Sequence, residues 1–118
     1  SSAASDVYKR QDLHFKKMIL LLSYFRIGNS SVKPAGCAAL FSNQGLMGLY
    51  CLGTISNFRG RGVAKKMIGV SFRIAHQQRM DPLFLQTFTN EGLLPLYKKL
   101  GFRFVYRKRV YALKGNSN

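Results

Sequence analysis

Residues 52–65, LGTISNFRGRGVAK, join an apolar run to an amphipathic one through Arg59, Gly60, Arg61, Gly62, Val63, Ala64 and Lys65. Glycines at the start of a helix let the backbone come close to a ligand. The first N–H groups of a helix have no partner within it and lie at the positive end of its dipole. Such a turn can grip a diphosphate. The segment lacks the Lys-Ser or Lys-Thr of a Walker loop and the glycine spacing of a dinucleotide fingerprint, so nucleotide hydrolysis and NAD binding are not supported. The other readings of the same residues are an ordinary glycine-rich turn and an Arg-Gly contact to nucleic acid.

Acid–base chemistry is sparsely provided. The chain has 4 acidic residues, Asp6, Asp12, Asp81 and Glu91. Asp81 reads as turn chemistry and Glu91 as a first-turn helix residue. His76 falls inside a helical pattern and reads as structural. Cys37 and Cys51 are too few for a disulfide framework, and they have no metal-ligand spacing with His14 or His76, so no metal is expected. Reduced thiols in a cytoplasm are the plain expectation.

The elements around these residues belong to one domain, since 118 residues suffice for one core but not two. A hydrophobic fraction of 47% with 13% aromatics argues for a packed globule and against disorder. The longest apolar run, Met18 to Phe25, is well short of the roughly 18 residues of a membrane helix, so no membrane partner is expected. No secretory leader is recognisable. Residues 1–11, SSAASDVYKRQ, match the in-frame translation of a sequencing adapter, so residues 12–114 are expected to form the domain and 115–118 a tail. Without Lys9, Arg10 and Asp6 the balance is 17 basic against 3 acidic residues, 17 − 3 = +14, compared with +15 for the whole chain. Such a charge calls for an anionic partner: a phosphorylated cofactor, an acidic substrate or a nucleic acid.

Asp12 to Leu22 fits either a buried helix end or a strand. Ser23 to Ile27 reads as a short strand, followed by a turn at Gly28-Asn29-Ser30-Ser31. Ala35 to Ser42 and Leu46 to Ile55 read as a hairpin closed by Asn43-Gln44-Gly45, with Cys37 and Cys51 opposite each other if Gln44 is the tip. Val63 to Gln78 has helical spacing, with Met80-Asp81-Pro82 stopping it. Leu83 to Phe88 reads as an apolar strand covered on both faces. Asn90 is a good N-cap for a helix over Glu91 to Leu100 that ends at Gly101, with Pro95 forcing a kink or a late start. Phe102 to Tyr106 and Arg109 to Leu113 read as a final pair of strands. Their alternating basic and aromatic residues also suit a nucleic-acid contact.

Two motifs in order carry a resemblance. Strand, Arg59-x-x-Gly62-x-Ala64 and helix is similar to the acyl-CoA-binding motif of the GNAT (GCN5-related) N-acetyltransferases. Asn90, Leu93, Tyr97, Gly101 and Phe102 follow at the spacing of the family's asparagine-to-tyrosine helix, with Leu93 where a small residue is usual. The resemblance spans roughly residues 23–113. It implies the α/β GNAT acyl-CoA N-acyltransferase fold, a mixed and mainly antiparallel sheet with two splayed central strands, here lacking the N-terminal elements. It further implies acetyl-CoA as acyl donor and a primary amine as acceptor. Backbone groups of Leu52, Gly53 and Thr54 would pair with the pantetheine arm. Gly60 to Lys65, including Val63, would hold the pyrophosphate, with Arg59, Arg61 and Lys65 adding charge. Asn90 would touch the pantetheine arm, and Tyr97 would protonate the departing thiolate. The family's strand glutamate falls at Leu85, which leaves the base to water, a backbone carbonyl, Tyr50 or a residue of the missing N-terminal part. The acceptor, small molecule or protein, and the oligomeric state are not specified. A basic nucleic-acid-binding module and a non-catalytic acyl-CoA binder are the alternatives.

Overall fold

The computed structural model of the protein describes residues 5–11, 18–29, 31–80 and 82–115. Asp12, His14, Ser30, Asp81 and the last three residues of the tail lie outside them. Five strands form one sheet in sequence order: β1 (Ser5–Gln11), β2 (Met18–Ile27), β3 (Ser31–Asn43), β4 (Leu46–Thr54) and β5 (Leu83–Leu85). β1 to β4 run antiparallel, and β5 alone lies parallel to β4. The helix α1 (Val63–Gln77) makes the crossover between these last two, and a short α2 (Leu94–Lys99) follows β5.

β2 settles the ambiguity of its segment in favour of a strand. Ile19, Leu21 and Ser23 are buried, while the residues between them are only half covered, which is the period of 2 of a half-buried strand. Residues 5–11, assigned above to an adapter, pair along the outer edge of β2 from Ser5↔Phe25 to Gln11↔Ile19. The β3–β4 hairpin closes through Gln44 (φ 51°) and Gly45 (φ 80°), a tight turn with two left-handed residues that suits the strands' twist.

The core lies between one face of the sheet and α1. Ile19, Leu21, Ala38, Leu40, Met47, Leu49 and Leu83 meet Val63, Met67, Ile68, Ile74 and Ala75. Ser71 is also buried there because its hydroxyl donates to the Met67 carbonyl one turn back, 2.8 Å away. α1 stops before the expected Asp-Pro signal. Arg79 turns left-handed (φ 55°), and the amides of Arg79 and Met80 bond back to the carbonyls of His76 and Ala75.

Three expectations need correction. β5 ends at Leu85, and Phe88 is 63% exposed, because no further strand or helix among the described residues covers that run on both faces. The second helix starts late, as Pro95 allows, and it is the capping role of Asn90 that fails. Thr89–Glu91 form a 3₁₀ turn, Gly92 is left-handed (φ 70°), and α2 begins next to Pro95, whose fixed φ suits a first helical position. Asn90 therefore sits in the turn and caps nothing. Gly101 (φ 102°) ends α2 as expected, with the Phe102 amide bonding to the Tyr97 carbonyl at 2.9 Å. Residues 102–115 form no strand. Phe104, Val105, Tyr106, Val110, Tyr111 and Leu113 are all exposed, so the alternation seen in the sequence has no neighbouring strand to pair with among the described residues.

Candidate functional site

β4 and β5 share only the register Met47↔Leu83, Gly48↔Phe84 and Leu49↔Leu85, and then part. The cause lies in β4. Ala39 pairs with Tyr50 and Cys37 with Gly53, so Cys51 and Leu52 together face Ala38, and Cys51 takes a left-handed conformation (φ 54°). This is a β-bulge, which bends its strand and strengthens its twist. The expected opposition of the two cysteines is not formed: the Asn43↔Leu46 register of the turn sets Cys51 against Ala38, and the bulge sets Gly53 against Cys37. Both cysteines are free and exposed, and the Cys37 thiol contacts the Cys51 carbonyl oxygen at 3.6 Å. Nothing in the alternation of β4 marks a bulge at a non-glycine residue, so sequence reasoning missed it.

Beyond the bulge, Leu52, Gly53 and Thr54 have β3 on one side, while the side toward β5 is no longer paired. Gly53 is exposed, and a Cβ there would meet nothing within 4 Å. The chain then passes a 3₁₀ turn at Ser56–Phe58 and enters α1 through Arg59–Gly62. Gly60 (φ 76°) and Gly62 (φ 79°) hold conformations that other residues rarely adopt, and both have open space where a side chain would stand. No side chain caps α1, and its first turn contains no acidic residue. The first bond in the helical ladder runs from the Lys66 amide to the Gly62 carbonyl, at 3.0 Å. The amides of Val63, Ala64 and Lys65 precede it, at the positive end of a 15-residue dipole. A polyphosphate fits this end, because the glycines leave room and nothing anionic competes for the amides.

Arg59, Arg61 and Lys65 are all exposed, and the Arg59 Nε donates to the Thr54 carbonyl at 3.3 Å, tying the turn to the end of β4. The Arg61 guanidinium sits 5.3 Å from the Phe25 ring centroid and 5.8 Å from that of Phe58, and the two rings are 5.1 Å apart. Cation–π contact of this kind fixes the loop against the end of β2. Arg61 thus holds the cradle in place as well as charging it. The apolar spacing of Phe25 and Phe58 gave no hint of it.

Tyr97 lies on α2, joins the core with 9% exposure and meets Phe102 edge-on at 5.9 Å. Burial, and secondarily the Glu91 carboxylate, raises its pKa above the usual value near 10, so it keeps its proton. Glu91 accepts a hydrogen bond from the Thr87 hydroxyl at 3.2 Å. Asn90 is exposed in the turn that precedes α2. Leu85, at the position of the family's glutamate, ends β5. Two shallow hollows elsewhere, one lined by Phe72, His76 and Met80 and the other by Val7, Arg73 and Gln77, contain none of these residues. Among the described residues no three His, Cys, Asp or Glu side chains cluster, and no helix is long and apolar enough to cross a membrane.

A mixed sheet whose parallel pair opens onto the glycine-rich start of the crossover helix is the framework of the acyl-CoA N-acyltransferases. The sequence matches the acetyltransferase (GNAT) family over residues 5–102, and the chain belongs to that family. Solved structures repeat the fold. An aminoglycoside acetyltransferase from an uncultured soil metagenomic sample, in complex with sisomicin, superposes with a TM-score of 0.75 at 13% identity over 96% of this chain and 99% of its own. AAC(6')-Iy, in complex with the bisubstrate analogue CoA-S-monomethyl-acetylneamine, gives 0.72 at 15% identity over 94% and 99%. An acetyltransferase of Trypanosoma brucei gives 0.66 at 20% identity over 82% and 70%. No curated protein matches the chain significantly.

Proposed function

We propose that the protein is an acetyl-CoA-dependent N-acetyltransferase that acetylates a primary amine by direct transfer. The observation that carries this reading is the parting of β4 and β5 beside the uncapped start of α1. Acetyl-CoA supplies an activated acetyl thioester. Leu52, Gly53 and Thr54 offer their unpaired backbone edge to the pantetheine amides as an added strand would. The amides from Gly60 to Lys65 hold the pyrophosphate, and Arg59, Arg61 and Lys65 add charge; a guanidinium can do so through two parallel bonds. Asn90, in the turn opposite, contacts the pantetheine arm.

The neutral amine forms the new C–N bond as the C–S bond breaks. The amine loses one proton to water, which a backbone carbonyl can orient, and Tyr97 gives one to the leaving thiolate and is reprotonated from solvent. A phenol held in its neutral form suits that task, since its basicity is close to that of the leaving group. The free, exposed cysteines fit a reducing compartment such as the cytoplasm.

Calorimetric titration with acetyl-CoA, together with amine-dependent thiol release, tests the reading. Micromolar binding with thiol release is expected. Failure to bind acetyl-CoA, with nucleic-acid affinity that falls steeply with salt, would replace the enzyme by a nucleic-acid-binding module that uses the exposed Arg103, Arg107, Lys108 and Arg109.

A further inference from the structure

The sheet face away from α1 carries a row of rings. Residues paired across neighbouring strands share a face. The registers Phe41↔Gly48, Gly48↔Phe84 and Ala39↔Tyr50 therefore place Phe41, Tyr50 and Phe84 opposite the core residues Leu40, Leu49 and Leu83. Phe41 and Tyr50 meet edge to face with centroids 5.5 Å apart at 81°, and Tyr50 meets Phe84 at 6.3 Å and 85°. The Tyr50 ring lies across Gly48, where a Cβ would come within 2.5 Å of the ring's Cε2 and 2.9 Å of its hydroxyl oxygen. Glycine at 48 is thus what lets the ring lie on the sheet.

The row borders the point where the strands part. Phe84 stands one step before the last β4–β5 pair, and Tyr50 immediately precedes the bulge at Cys51. Among the described residues, carboxylates are scarce around it. Asp6 lies on β1, the strand farthest from β5 in the sheet, and Glu91 is engaged by Thr87. A chain of net charge +15 with 4 acidic residues is poorly suited to a polycationic acceptor. A single ammonium on a flat apolar body is compatible, because ring faces attract it without a carboxylate.

We propose that Tyr50 and Phe84 form the acceptor subsite, and that the acceptor is a primary amine carried on an aromatic body. The proposal rests on the acetyltransferase reading above, which puts the acyl group between β4 and β5. Ring-to-ring contact orients the amine at the vertex, and Gly48 sets the height of the Tyr50 wall.

The test is calorimetry on the full chain. Coenzyme A is titrated first, and then 2-phenylethylamine, 2-cyclohexylethylamine or neamine at saturating coenzyme A. The phenyl amine should bind about tenfold tighter than its cyclohexyl counterpart and tighter than neamine. Phe84→Leu and Gly48→Ala, the second of which displaces the Tyr50 ring without removing it, should each weaken the phenyl amine about fivefold and leave coenzyme A affinity unchanged. Equal binding of the two ring types, preference for neamine, or indifference to both variants overturns the proposal while coenzyme A binding keeps the enzyme reading intact. Loss of coenzyme A binding by the unmodified chain overturns both. If either variant fails to fold, the preference of the unmodified chain among the three amines still decides.

Discussion

Gly36 of β3 faces the Gly53 carbonyl of β4 so closely that a methyl group on Gly36 would stand 2.6 Å from that oxygen, 2.9 Å from Met67 Cε and 3.2 Å from Val63 Cγ1. Three elements meet at this one bare α-carbon: the strand before the hairpin, the strand after the bulge and the first turns of α1. The cradle for the pyrophosphate is built on their close approach. Gly36→Ala forces the backbone of β4 and α1 apart, because the Gly53 oxygen belongs to the main chain and cannot swing away. It should cost about 1–3 kcal/mol of stability, as overpacking of a core does. Thermal unfolding checks this, and a weaker affinity for acetyl-CoA should accompany it.

The left-handed Gly62 makes a separate prediction. Gly62→Val places a β-branched residue at φ 79°, a conformation that costs it about 1–3 kcal/mol, and it fills the open space before the first amides of α1. Acetyl-CoA should bind at least tenfold more weakly. Arg61→Ala should act in another way. It removes the guanidinium from Phe25 and Phe58, so the loop loosens as well as losing a charge, and the loss of affinity should be less sensitive to added salt than that of Lys65→Ala, which acts through charge alone.

Tyr97 makes stability fall at alkaline pH. Its raised pKa means that the folded state holds the proton more tightly than the unfolded chain does. The stability it contributes is complete below the unfolded value near 10 and is lost as pH rises through the folded value. Tyr97→Phe should flatten this alkaline loss in chemical denaturation and lower turnover at saturating acetyl-CoA by about a hundredfold. Unchanged turnover would remove Tyr97 from the proton transfer and leave it a packing residue.

The adapter assignment of residues 1–11 carries its own test. β1 is the strand farthest from β4 and β5 in the sheet, so its removal should leave acetyl-CoA affinity unaltered, although some thermal stability is lost with the Val7 contact to the core. The family match begins at residue 5 and includes this strand, so a large loss of cofactor binding would count against the assignment.

Much of the site could be read in the sequence because local chemistry specified it. Gly60 and Gly62 were recognisable as glycines at a helix start, α1 followed its apolar spacing to within one residue, and Gly101 ended α2 as a C′ glycine should. What was not legible depends on partners distant in the chain. The bulge at Cys51 arises from how β4 must bend beside β3 and β5, and no glycine marks it. Arg61 finds its rings on two segments more than thirty residues apart in number, at Phe25 and Phe58. The segments 102–106 and 109–113 have the alternation of strands, but alternation makes a strand only where another strand's N–H and C=O groups lie alongside.

Because β5 is joined to the sheet only from Leu83 to Leu85, it is the seam along which the molecule should come undone first. Amide exchange at β5 and along the adjoining edge of β4 should outpace that of the β2–β3 ladder, and the wedge into which a ligand enters would also be the place where unfolding starts. A bound diphosphate and pantetheine arm would then act as a rivet across that seam, and slower exchange at Met47 to Leu49 on adding acetyl-CoA would report it.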